Sequence, residues 1–160
     1  MSFMLFLLLF QVHTDTALSQ LPKEAIQVVD ECLTVKWKLL DHYIYKCDLN
    51  GDSLPDYALA ATVGESDCLV EYYFALIAQK DGYTFFLLSI APPELRRAGG
   101  IEFNIRHKGE KTTEFPTDVS GEPKEIILQT DALEFVPLNG CCPTIHIFRD
   151  GRFQLITSGD

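Results

Sequence analysis

The chain predicts a mainly β fold of the α+β kind: an antiparallel sheet or sandwich of about eight strands with one N-terminal helix. Three observations predict it. Two pairs of apolar runs are joined through Asp-Gly, at Asp81-Gly82 and at Asp150-Gly151. Most other apolar stretches are short and rich in β-branched and aromatic residues. A single stretch has helical spacing, so helices do not alternate with strands as a parallel βαβ sheet needs.

That stretch is "LPKEAIQVVDECL", residues 21–33, in which Ala25, Ile26, Val29 and Leu33 recur at three- and four-residue intervals. Pro22 suits a first helical turn because its missing N–H has no helical partner there anyway. Strand signals follow. In "VKWKLLDHYIYK", Tyr43, Tyr45 and Cys47 alternate with His42, Ile44 and Lys46, so the two sets face opposite sides of a sheet. "YALAATV" is the next strand. "CLVEYYFALIAQK-DG-YTFFLLSI" and "TIHIFR-DG-RFQLIT" are hairpins, since Asp-Gly favours the type I′ turn whose twist matches paired strands. "IEFNIRH", "EIILQT" and "ALEFV" are further strands, whereas "APPELRRAGG" and "EFPTDVSGEP" are loops by their Pro and Gly content. Trp37, Tyr72, Tyr73, Phe85 and Phe86 are expected in the core. There is no internal repeat and no linker-like segment.

The chain has 160 residues, with 47% hydrophobic and 22% charged, a composition that can bury a core. Its 13 Lys and Arg stand against 23 Asp and Glu, a net charge of −10. Such a surface repels phosphate backbones, so nucleic acid is not an expected partner; the acidity is read first as serving solubility, with a protein partner of basic surface as the alternative.

The opening "MSFMLFLLLFQVHTDTALSQ" is read as a secretory signal peptide over residues 1–19. Phe3 to Phe10 are unbroken apolar residues, and Ala17 and Ser19 place small side chains before a cut at Gln20. The run is too short to span a bilayer, which takes roughly 20 apolar residues. The expectation is one β-rich domain over residues 20–160, secreted or periplasmic, with no membrane span once the signal is removed. Export would permit disulfides among Cys32, Cys47, Cys68, Cys141 and Cys142. Five is odd, so one thiol is left over whatever the pairing. These cysteines lack a CxxC pair, which argues against zinc.

The most specific stretch is "CDLNGDSLPDYALAA", residues 47–61. Asp48, Asn50, Asp52 and Asp56 stand at offsets 1, 3, 5 and 9, and the backbone carbonyl of Leu54 at offset 7. Calcium takes six to eight oxygens from carboxylates, amides and carbonyls, and a loop of this spacing can present them. The helix-flanked version needs Glu at offset 12. That position is Leu59, between strand-like flanks, so an EF-hand is rejected. An acidic turn without metal is the alternative, because Asp, Asn and Gly are common in turns.

"DLNGDSLPD" followed by "YALAAT" resembles the FG-GAP or VCBS calcium loop, DxNGDGxxD before an apolar strand, over about residues 43–63. The resemblance implies calcium held by Asp48, Asn50, Asp52, the Leu54 carbonyl and Asp56. Ser53 stands where that family has glycine, in a backbone conformation that favours glycine. The motif occurs once, so the propeller built from its repeats is not implied. The chain is similar to small exported bacterial proteins that carry one such loop.

No catalytic residue is assigned. There is no GxSxG, HExxH, P-loop or Rossmann glycine pattern. His42, His107 and His146 are read as surface or satisfied strand histidines. Glu65, Asp67 and Glu71 could supply a carboxylate pair, and Arg96-Arg97 an anion contact, but a solvated face explains each. The expected function is an exported, non-catalytic binding domain with calcium in a structural role. The alternative is a secreted or periplasmic inhibitor or immunity-type protein that binds a basic enzyme.

Overall fold

The computed structural model describes residues 17–64, 69–94, 100–115, 122–138 and 143–157. Residues 1–16 of the expected signal peptide lie outside them, as do Glu65, Asp67, Cys68, Arg96, Arg97, Cys141 and Cys142. Among the described residues no helix is long and apolar enough to cross a membrane.

The fold is mainly β, as the sequence predicts, and the described residues form one longer helix and ten strands where about eight were expected. A short 3₁₀ turn, Leu18–Gln20, leads into α1, Lys23–Cys32. Pro22 caps α1 instead of occupying its first turn, with φ −60° and an extended ψ of 151°. The strands β1 (Trp37–Cys47), β2 (Asp56–Val63), β3 (Val70–Gln79) and β4 (Gly82–Ala91) form one antiparallel sheet in that order. A second antiparallel sheet has the order β10 (Arg152–Thr157), β9 (Thr144–Arg149), β8 (Ala132–Pro137), β5 (Ile101–Arg106). The hairpin of β6 (Lys111–Glu114) and β7 (Lys124–Ile127) is inserted between β5 and β8.

β6 had no sequence signal. Its four residues, Lys-Thr-Thr-Glu, lack apolar alternation, and pairing with β7 makes them a strand. The two Asp-Gly hairpins also differ. Asp150 and Gly151 have φ of 52° and 74°, as a type I′ turn needs. In the β3–β4 hairpin Gln79 pairs with Gly82, so Lys80 and Asp81 are the central residues. Neither of them has the positive φ that a type I′ turn needs, and positive φ falls instead on Gly82, at 135°, so the expected type I′ turn does not form.

The period-two pattern decides the layers. Leu59, Ala61, Phe74 and Leu76 pack against Ala25 and Val29 of α1 on one face of the first sheet. Ala58, Ala60, Tyr73, Ala75 and Ile77 point the other way, onto Phe103, Leu133 and Phe135 of the second sheet. β2 and most of β3 are therefore covered on both sides and read as continuous apolar runs. Tyr43 and Tyr45 face the second sheet as the alternation predicts, and their hydroxyls donate to the carbonyls of Ile101 and Phe103. The outer face of the second sheet is closed by Leu128, packed with Ala132, Ile145, Ile147 and Ile156, and by Ile126 of β7. The order of layers is thus helix, sheet, sheet, hairpin.

Candidate metal loop

The β1–β2 connection, residues 48–55, leaves the sandwich at Cys47, which pairs with Asp56 across the two strands. Two glycine-like conformations fold it back: Gly51 at φ +81° and Ser53 at φ +67°. The sequence placed a left-handed residue at Ser53, and the backbone adopts it. Gly51 is required for space as well, because a Cβ there would stand 3.1 Å from Thr130 Cγ2.

Inside this curl the side-chain oxygens turn toward the loop's own N–H groups. Asp48 accepts from the N–H of Gly51 at 2.8 Å and of Ser53 at 3.3 Å. Asn50 Oδ1 accepts from Asp52 N at 3.0 Å, and its amide donates to Asp52 Oδ2 at 2.9 Å. Asp52 Oδ1 accepts from Leu54 N at 2.8 Å. Each carboxylate oxygen keeps a second lone pair, which is the capacity a hard cation uses. The structure therefore brings Asp48, Asn50 and Asp52 together at an exposed rim. Leu54 lies beside them with its side chain exposed.

Asp56 is different. It is fully buried at the foot of the loop, where its carboxylate accepts from Leu49 N at 2.7 Å, Asn50 N at 3.3 Å and Ala78 N at 2.7 Å. Burial pushes its carboxyl up to about 6, against the downward pull of those three N–H groups. The residue read as the last metal ligand is thus also a peg that ties the loop to β3.

A second anchor, Asp131, was not found from the sequence. Its Oδ2 accepts from Asp48 N and its Oδ1 from Lys108 N, both at 3.0 Å. Asp131 N in turn donates to the Asp48 carbonyl at 3.1 Å, and His107 Nδ1 stands 3.5 Å from Oδ1. Asp131 lies 83 residues from Asp48, a separation at which no local pattern signals a contact. Its position just before the strand "ALEFV" was the sole hint.

A cleft of about 480 Å³ opens beside the rim, lined by Asn50, Asp52, Lys80, Asp81, Phe86 and Phe148. Phe86 meets Phe148 and Phe153 edge-on at 5.3 and 5.6 Å, so its floor is a fixed aromatic cluster.

Among the described residues, the other candidates do not gather into a site. Glu71 is buried and accepts from the Tyr73 hydroxyl at 2.9 Å, which makes it a core polar group. His146 lies with its ring 4.8 Å from Phe135, and burial lowers it to about 4. Cys32 is an exposed free thiol and Cys47 a buried one, whose thiol burial strongly raises. Among the described residues no group of three or more His, Cys, Asp or Glu side chains is placed to hold a metal ion. Asp48, Asp52 and Asp56 therefore do not gather as three carboxylates of one site, and the oxygens that the rim brings together are those of Asp48, Asn50 and Asp52. No family model, curated protein or solved structure matches this chain, so the likeness to the FG-GAP or VCBS loop rests on residues 43–63 themselves.

Proposed function

We propose that the protein is an exported, non-catalytic binding domain whose residue 48–56 loop takes calcium in a structural role. The observation that carries the reading is Ser53. A non-glycine in the left-handed region costs about 1 kcal/mol or more and persists where a site demands the conformation. Here that conformation, with Gly51, curls Asp48, Asn50 and Asp52 onto one rim. Calcium fits the donor set because every donor is a hard oxygen. Asp48, Asn50 and Asp52 would hold it together with the Leu54 carbonyl, and Asp56 would fix the foot of the loop. When bound, the ion neutralises the rim and ties its residues to one another. The net charge of −10 attracts the cation and favours a basic protein surface as partner. The apolar Phe3–Phe10 run supports export, into compartments where weak calcium sites of roughly 10⁻⁴ to 10⁻³ M are filled.

The test is thermal unfolding of the purified protein in millimolar calcium and then in EDTA, beside Asp52→Ala. Binding to the native state raises the melting temperature with ligand concentration. A calcium-dependent rise that Asp52→Ala abolishes is expected. Equal melting temperatures in calcium and EDTA would return the loop to an acidic turn.

A further inference from the structure

The expected signal peptide and the folded domain overlap. Ala17, Leu18 and Ser19 lie on the leader side of the expected cut before Gln20, and in the structure they form the entry to α1. Ala17 has helical backbone angles, φ −63° and ψ −46°, and Leu18–Gln20 close a 3₁₀ turn after it. The Ala17 carbonyl accepts from Gln20 N and the Leu18 carbonyl from Leu21 N, both at 3.1 Å.

The side chains are placed as well. Ala17 is 1% exposed and belongs to the buried cluster that holds Leu21, Ala25 and Val29 together with Leu39 and Leu59 of the first sheet. Leu18 packs against that cluster. With Ile26, Leu33, Trp37 and Leu39 it lines a cleft of about 410 Å³ between α1 and the start of β1. A cut before Gln20 would take one residue from the core and one wall from the cleft. It would also remove the carbonyl partners of Gln20 N and Leu21 N. Each loss lowers stability, because apolar area returns to water and hydrogen bonds are unmade. Burial does not protect a bond that is cut before the chain folds, but it marks what the folded domain uses.

The sequence offers an earlier bond. Thr14 and Thr16 stand at −3 and −1 of the Thr16–Ala17 bond, beyond the apolar run that ends at Phe10, and small residues at those positions are what a leader cut needs. We propose that a leader peptidase of the exporting cell cuts the Thr16–Ala17 bond, so that Ala17, Leu18 and Ser19 stay in the mature domain as the first turn of its fold. Water hydrolyses the amide, leaving a carboxylate on Thr16 and a free α-amine on Ala17. The proposal rests on the export reading above and moves only the place of the cut.

Export of the full 160-residue chain from a secreting host tests this, with intact mass and N-terminal sequencing of the released protein. A product beginning at Ala17 is expected. One that begins at any other residue, Gln20 included, overturns the proposal while export stands. A product that keeps Met1 and stays in the cell overturns the proposal together with the export reading. Leu18→Asn gives a second readout, since it alters neither Thr14 and Thr16 nor Ala17 and Ser19. It should lower the melting temperature of the exported protein by about 5 °C or more, because Leu18 is retained and packed. An unchanged melting temperature overturns the proposal. The mass of the wild-type product needs no variant, so misfolding of Leu18→Asn does not protect the idea.

Discussion

Asp56 and Thr112 are both buried polar residues, and they sit at opposite layers of the molecule. Asp56, at the foot of the loop, places a carboxylate among three backbone N–H donors. Thr112, in the outer β6–β7 hairpin, is 3% exposed, and among the described residues its Oγ1 has no hydrogen-bond partner. Burial costs a polar group its water, and only partners inside the protein return that cost. The first residue therefore holds structure together, and the second weakens it.

The largest effect that follows is at Asp56. Asp56→Ala removes one side chain and leaves the N–H groups of Leu49, Asn50 and Ala78 unpaired. A loss of about 3–5 kcal/mol is expected in denaturant unfolding. Asp56→Asn keeps one acceptor oxygen and should fall between wild type and alanine. If both variants unfold like wild type, the peg is not what holds the loop to β3.

His146 extends the comparison to a group whose partner is a ring and not a donor. Burial lowers it to about 4 from an ordinary value of 6.5, so the unfolded chain binds more protons between those limits. Stability contributed by neutral His146 is thus complete above the unfolded value and is lost as pH falls from 6.5 toward 4. The loss is on the order of 3 kcal/mol at the lower limit. Unfolding free energies of wild type and His146→Leu across that window should diverge as pH falls. Parallel curves would show that His146 does not titrate with folding.

The smallest effect is a gain. Thr112→Val replaces a hydroxyl without a partner by a methyl of similar size. A rise of about 1 kcal/mol is expected, read as a higher melting temperature. A destabilised valine variant would mean that the hydroxyl has a partner in solution, such as water.

Much of the fold was legible because its signals are local. Ala25 and Val29 share a helix face at four-residue spacing, and Tyr43 and Tyr45 share a strand face at two. Both pairs point where their periods say. The rim of the loop was legible for the same reason, since Asp48, Asn50 and Asp52 lie within one turn of chain. The β3–β4 turn was misplaced by one residue because the pairing of Gln79 with Gly82 set its register and outweighed the Asp-Gly preference. β6 was missed because Lys-Thr-Thr-Glu becomes a strand only against β7.

By itself, then, the sequence determined the helix, nearly all the strands, the alternation that sorts side chains between layers, and the acidic rim. These depend on residues a few positions apart. The tertiary structure alone decided that Asp56 is a buried peg, that Asp131 clamps the loop, and that Ala17 is buried with residues of the first sheet. Each is a relation between segments distant in the chain, which strand order and sheet packing create and no local spacing encodes.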